Sequence, residues 1–222
     1  MRRRNARCVV RAVIRDDEAV GEVTQFEVVC SVEKISECHL IPALEQMLDA
    51  FPFTLLGFHS DSGSEYINSR VAGPLDKLRI EFTNSRSRHS NDNALAESKN
   101  AAVVRKQFGY SHIPQRWAPL INDFNREHLK PYLNFHRSCF FPETRTDAKG
   151  KERKVYRYEN LMTPYYRLKS LPGAKGCLKP GVTFAILDAV ALQISVNQAA
   201  KQLQKARQKL FKIIHGLPLR TG

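Results

Sequence analysis

Hydrophobic and polar positions change their period several times along the chain. Phe26-Glu27-Val28-Val29-Cys30-Ser31-Val32 is rich in β-branched residues and predicts a strand. Ser36 stands where a helix cap is expected. After it Leu40, Ile41, Leu44, Met47 and Leu48 recur at helical spacing, which predicts a helix to about Ala50, ended by Phe51-Pro52. Phe53-Thr54-Leu55-Leu56-Gly57-Phe58-His59 is a continuous apolar run of strand length, the signature of a buried parallel strand. Ser62-Gly63 predicts a turn, 65–77 a helix and Arg79-Ile80-Glu81-Phe82-Thr83 a short strand. A polar loop over 84–93 follows. Asn93 caps a predicted helix from Ala94 to about Phe108, and another runs from Pro114 to about His128. Strands alternating with helices in this order predict an α/β fold with a partly parallel sheet.

From Cys139 the pattern differs. Asp147-Ala148-Lys149-Gly150 reads as a turn, and Lys154-Val155-Tyr156-Arg157-Tyr158 alternates after it as a hairpin strand. Pro172, Gly173, Gly176, Pro180 and Gly181 break the chain before a last helix over about 195–214. Ala199, Leu203, Ala206, Leu210 and Ile213 share one face of that helix; Lys201, Lys205, Lys209 and Lys212 share the opposite one.

Composition narrows the class. A chain of 222 residues with 42% hydrophobic residues, twelve phenylalanines and seven tyrosines has enough apolar surface for a core, which argues against a disordered chain. No apolar run approaches the roughly 20 residues that span a bilayer. Met1-Arg2-Arg3-Arg4 is basic, but no apolar segment of secretory type follows it. The five cysteines are widely spaced, with no CxxC pair and no zinc-ligand spacing, which argues against a disulfide scaffold and fits a reducing cytoplasm.

The formal charge is +13, and its distribution is more informative than its size. Residues 1–138 hold 19 Lys and Arg against 17 Asp and Glu, a net of +2; residues 139–222 hold 16 against 5, a net of +11. A basic region so concentrated attracts polyanions by steering and counterion release. The sequence therefore divides into an atypical Arg/Ala/Val/Asp-rich leader (1–20), a nearly neutral core (21–138) and a basic C-terminal region with a hairpin and a terminal helix (139–222).

Two carboxylates fall at positions suited to chemistry. Asp61 ends the apolar strand, and ligands of open α/β sheets bind at the carboxyl ends of strands. Alone, it would read as a turn or cap aspartate. Glu97 heads a helical sector that continues through Ala101, Val104 and Phe108, so it leads the stripe expected to pack on the sheet. A carboxylate there is costly to bury unless paired or metal-bound, although the positive end of the helix dipole also favours it.

Exactly what joins the two is spacing: 35 residues separate Asp61 and Glu97. Around them stand His59-Ser60-Asp61-Ser62-Gly63-Ser64-Glu65-Tyr66 and Asn91-Asp92-Asn93-Ala94-Leu95-Ala96-Glu97-Ser98-Lys99-Asn100. These strings resemble the second and third acidic motifs of the DDE integrase/transposase superfamily, above all bacterial insertion-sequence transposases related to retroviral integrases. Tyr132-Leu133-Asn134-Phe135-His136-Arg137 and Met162-Thr163-Pro164-Tyr165 are similar to the tail-end motifs of such transposases, so the resemblance covers roughly 20–215. It implies an RNase H-like fold, a five-stranded mixed sheet flanked by helices. It also implies carboxylates holding two Mg²⁺ (or Mn²⁺) ions about 3.5–4 Å apart for phosphodiester strand transfer. DNA is the implied partner, with oligomerisation on DNA and a nucleoid-associated location. Asp61 and Glu97 are the implied catalytic and metal-binding residues. Arg86, Arg88, His89, Lys99, Arg105 and Lys106 flank them as candidate phosphate contacts.

One departure matters. The resemblance calls for a first Asp a few residues before the Thr that opens the second strand, and Gly21 stands at that position before Thr24. Glycine offers no side-chain oxygen. In the reading favoured here, the chain is a truncated or frameshifted transposase with residues 1–20 out of register with the family; a helix-turn-helix ahead of the core has no counterpart. The alternatives are that Asp16 or Asp17 takes over, or that Glu22 swings into the site from the opposite face of its strand. The expected product is an impaired strand-transfer enzyme, or a non-catalytic DNA-binding remnant.

Overall fold

In the computed structural model, residues 18–20, 23–34, 36–55, 57–60, 81–84, 101–147 and 150–216 are described. A short hairpin opens the fold: β1 (Glu18–Val20) pairs antiparallel with β2 (Glu27–Val29), Val20 opposite Glu27. Helix α1 (Glu37–Ala50) follows, then β3 (Gly57–Ser60) and β4 (Glu81–Asn84), which pair parallel. Two long helical segments come next, α2 (101–108) and α3 (115–136). The C-terminal region holds β5 (Cys139–Phe140) paired with β8 (Leu161–Met162), the hairpin β6 (Glu143–Thr146) and β7 (Glu152–Val155), and helices α4 (Pro164–Ser170), α5 (Phe184–Leu192) and α6 (Val196–Ile214). Mixed helices and small sheets make the protein α/β in the broad sense. Among the described residues the strands form separate two-stranded pairs rather than one continuous sheet.

β2 is the element around which the rest is arranged. Its alternation sends Phe26, Val28 and Cys30 to one side and Val29 to the other. The first side is an aromatic core. Phe26 meets Phe51, Phe53 and Phe135 with ring centroids 5.8, 5.7 and 6.2 Å apart, the last two edge-to-face, and Tyr165 stacks on beyond Phe135 at 5.2 Å. Leu44, Met47 and Leu48 of α1 close it, which is the apolar stripe expected of that helix. On the second side Val29 joins Val103 of α2, Ile121, Phe124, Leu129 and Leu133 of α3, and Leu203 and Leu210 of α6.

Helix α3 also covers the edge of β2 that β1 does not use. Asn134 accepts the Glu27 N–H (2.7 Å) and donates to the Glu27 carbonyl (2.7 Å). Asn122 does the same for Ser31, at 2.6 and 2.8 Å. Two side-chain amides thus replace what a neighbouring strand would supply, and a bare edge is removed. Asn134 also donates to the Lys130 carbonyl, 2.9 Å away. That carbonyl would ordinarily take the backbone N–H of residue 134, so the side chain competes with the helix ladder. The helix there is widened to i→i−5 bonding over Asn125–Leu129 and Tyr132–His136, with Lys130 N–H on the Asn125 carbonyl and Arg137 N–H on that of Tyr132.

The charge boundary at 138/139 is not a packing boundary. Tyr165, Leu168 and Leu187 complete the aromatic core, and α6 completes the other cluster. Phe53 bridges Leu178, and Lys179 Nζ donates to the carbonyls of Leu48 and Asp49 at the end of α1, where no basic residue of the helix itself stands.

Several sequence expectations shift in detail. Ser36 precedes α1 as foreseen, but its hydroxyl lies against His39 Nδ1 (2.7 Å) instead of capping a backbone N–H. The apolar run 53–59 is not one strand. Phe53 turns into the aromatic core and pairs with Leu178, and the parallel strand begins only at Gly57. The helix from Pro114 runs past His128 to His136 because Leu129, Leu133 and Phe135 extend its buried face. The hairpin strand after the 147–150 turn starts at Glu152 and ends at Val155, since Tyr156 and Tyr158 pack edge-on against Phe140. The expected helix over 65–77 lies outside the described residues.

Replacing Asn134 by Ala removes both of its hydrogen bonds to the buried Glu27 backbone. At roughly 1–3 kcal/mol for each buried hydrogen bond lost, a loss of about 3 kcal/mol is expected in urea unfolding. Asn122→Ala, at a half-buried site, is expected to cost less.

Candidate functional site

The parallel pair fixes the framework of the candidate acidic site. In its register Ser60 lies opposite Asn84, so two strands end side by side at their carboxyl termini. Asp61 is the next residue in sequence after Ser60. Asp61, Glu97, Gly21, Arg86, Arg88, His89 and Lys99 themselves lie outside the described residues, as do Asp16, Asp17 and Glu22. Among the described residues no three His, Cys, Asp or Glu side chains come together as a metal site would require.

The C-terminal part of the helix that carries Glu97 in the sequence reading is α2. It opens with a π-helical turn, Ala101–Arg105, and ends α-helically at Lys106–Phe108. Val103 is the side chain most deeply buried, with Phe108 packed edge-to-face on Phe124 (5.9 Å). The expected stripe ran through Ala101, Val104 and Phe108. A wide turn spaces one face by five residues, and this brings Val103 into line with Phe108 while Val104 is half-buried. Gly109, at φ +78, stops the helix with a conformation that glycine adopts without strain.

Arg105 and Lys106 are both exposed at this helix end. The Arg105 guanidinium lies 5.8 Å from the centre of the exposed Tyr110 ring, a cation–π arrangement that leaves both groups accessible. Lys106 faces a groove of about 270 Å³ between α2, the end of α3 and α6, together with Arg137 and Arg207. Of the phosphate contacts expected from the sequence, the structure thus describes Arg105 and Lys106. It adds Arg137, the last residue of the tail-end motif that opens at Tyr132, and Arg207, which no local motif singles out; only the packing of α6 against α3 brings them beside Lys106.

A second, larger cavity of about 430 Å³ lies between β2, α1 and α3. Asn125 and Lys130 line it. The buried Asn125 amide has no hydrogen-bond partner among the described residues, and burial, with help from the nearby Lys179 charge, lowers the Lys130 ammonium below the ordinary lysine range. His136, buried at the end of α3, is likewise held below the usual histidine value by desolvation.

In α6, Ala199, Leu203 and Leu210 are buried and Lys201, Lys205 and Lys209 exposed, so the helix uses its apolar face to bind the core and offers its basic face outward. Ser195 and Gln198 form a reciprocal capping box at its start. No described helix is long and apolar enough to cross a membrane, and none of the four described cysteines forms a disulfide.

No family model matches the chain. The chain is similar to the uncharacterized protein y4rM of Sinorhizobium fredii, with 39% identity over 128 residues. The match covers 58% of this chain and 36% of that protein, so the chain spans little more than a third of the relative's length.

A depressed histidine pKa has a definite sign for stability. Protonation of His136 is easier in the unfolded chain, so its contribution is complete above the unfolded pKa and declines as pH falls through it. Urea midpoints are expected to fall between about pH 7 and pH 5.5, and His136→Gln is expected to flatten that part of the profile.

Proposed function

We propose that the chain is the catalytic-core part of a DDE-type DNA integrase/transposase with an RNase H-like framework, impaired in strand transfer. The observation that carries this reading is the parallel pairing of β3 with β4. It ends two strands side by side at Ser60 and Asn84, and Ser60 stands directly before Asp61 in the sequence, where the acidic motif with its partner 35 residues on is read. A ligand site at the carboxyl ends of parallel strands is the general expectation for such sheets.

The donor set decides how far the chemistry goes. Asp61 and Glu97 are hard oxygen ligands of the kind Mg²⁺ or Mn²⁺ takes. With Gly21 at the first acidic position, the set suits one ion and falls short of two. When bound, such ions supply Lewis acidity to the scissile phosphodiester. Arg105 and Lys106, and by the same reading Arg86, Arg88 and Lys99, would hold the DNA backbone without reading sequence. The basic surface of α6 and the +11 of the C-terminal region support DNA as the partner, assembly on DNA as an oligomer and a location with the nucleoid. Charge on that surface also favours a second reading, a DNA-binding remnant without catalysis that interferes with an intact transposase by mixed assembly.

The test is DNA nicking. The unaltered protein is expected to bind DNA in a salt-sensitive way with little cleavage. In a chain whose upstream strand has been repaired, Gly21→Asp is expected to raise Mn²⁺-dependent nicking on the order of tenfold or more, and Glu97→Gln to abolish it. No gain removes Gly21 as the missing position. Cleavage that survives Glu97→Gln, or the absence of any DNA binding, defeats the catalytic reading.

A further inference from the structure

The groove beside Lys106 has a composition that its location does not explain. Lys106 comes from the end of α2, Arg137 from the residue after α3 and Arg207 from the middle of α6. Gln107, Tyr132 and Gln204 line it with them, over a floor that includes Leu133 and Leu203. No carboxylate is among the lining residues, and none of the three cations forms a salt bridge with any described residue. Some other cations have acidic partners: Arg126 has Asp123, Arg145 and Arg157 share Glu143, and Lys169 has Asp188; Lys201, Lys205 and Lys209 stand apart on the outward face of α6, whereas the three groove cations converge on one concave surface.

Arg207 is held in place from behind. Its Nε donates to the Gln107 carbonyl at 2.5 Å, and its guanidinium carbon lies 5.4 Å from the centre of the Phe211 ring. The two terminal nitrogens of the fork bond no described residue. A guanidinium oriented in this way, with its outer edge unused, suits the paired oxygens of a phosphate. Gathering three like charges over an apolar floor is unfavourable until an anion joins them. The volume is below the roughly 300–1,000 Å³ of sites for drug-sized ligands and suits a phosphate with its adjoining sugar.

We infer that this groove is a phosphate site, and that its ligand is the backbone of DNA, held jointly by the core and the C-terminal helix. The inference deepens the DNA-binding reading above and rests on it. α6 then does more than fill the core: Arg207 fixes where one phosphate sits relative to α2, the segment that follows Glu97 in the sequence.

Lys106→Gln/Arg137→Gln tests the groove, because neither side chain makes a hydrogen bond to a described residue and the fold is expected to survive, as circular dichroism and melting can check. Labelled duplex DNA is titrated from 50 to 200 mM salt, and inorganic pyrophosphate is titrated separately by calorimetry. With one phosphate lost, the slope of log affinity against log salt is expected to fall by about one, with affinity down about tenfold, and pyrophosphate binding is expected to weaken at least as much. Lys201→Gln/Lys205→Gln/Lys209→Gln, on the outward face of α6, is the comparison and is expected to change pyrophosphate binding little. If the groove variant alters neither titration while the unaltered protein binds DNA, the groove assignment is overturned and the DNA reading stands. If pyrophosphate binding is lost with DNA binding unchanged, DNA is overturned as the source of the phosphate. If the outward-face variant has the larger effect on both, diffuse surface charge replaces the groove. Failure of the unaltered protein to bind DNA overturns the DNA reading itself, and the pyrophosphate titration then decides the groove alone.

Discussion

The fold depends on how a short strand's free edge is satisfied. β2 has only three ladder residues, too few to be stable as part of an isolated hairpin. Its outer edge is closed by Asn122 and Asn134, twelve residues apart on one helix, each bonding both the N–H and the C=O of one residue, Ser31 just past the strand and Glu27 within it. Because those amides fix the helix against the strand, Phe26, Val28 and Cys30 face one core while Val29 faces the other. The second widened turn of α3 accompanies the same contact, since the Asn134 side chain takes the Lys130 carbonyl out of the regular ladder. Polar groups deep in the protein thus determine which apolar groups can meet.

The C-terminal region is tied to this arrangement twice. α6 adds Leu203 and Leu210 to the cluster around Val29, and Tyr165, Leu168 and Leu187 seal the aromatic cluster around Phe26. Asp188 keeps the second of these in register. Its carboxylate accepts from the Tyr165 hydroxyl (2.7 Å) and from Lys169 (2.7 and 2.8 Å), and the Lys169 contact, ahead of the Tyr165 one, holds it below the usual aspartate range. Burial foremost, and then the same hydrogen bond, raise the Tyr165 hydroxyl, so it stays protonated and remains a donor. A region whose charge suggests a separate DNA-binding appendage is therefore also a structural part of the core.

What could be read in the sequence was what local spacing controls. The stripe Leu44, Met47, Leu48 and the stripe Ala199, Leu203, Leu210 were visible as helical periods, and the strand about Val28 as a β-branched run. Asn122 and Asn134 were not visible as clamps, because an asparagine on a helix looks alike whether it faces water or a strand edge remote in sequence. The π-turn that ends α3 was hidden for a related reason: the Asn134 side chain that bonds the Lys130 carbonyl is also held by Glu27, more than a hundred residues away. Of the candidate acidic site, the sequence offers the motifs and their spacing, and the structure shows the parallel pair whose first strand ends directly before Asp61. Arg137 and Arg207 could not have been grouped with Lys106 before helix packing was known, since the two arginines are 70 positions apart in the sequence.

The joint ownership of the aromatic core has a consequence for how the protein is made. Phe26, Phe51 and Phe53 leave the ribosome early, but the residues that cover them extend to Leu187. Some 130 residues must be added in between, about 7–26 s at roughly 5–20 residues per second, and during that time the apolar cluster has no lid. The nascent chain is then a sticky intermediate whose native contacts are mostly remote in sequence, the topology that folds slowly. Shielding of three phenylalanines while residues 54–187 are being translated then bears on how well it folds.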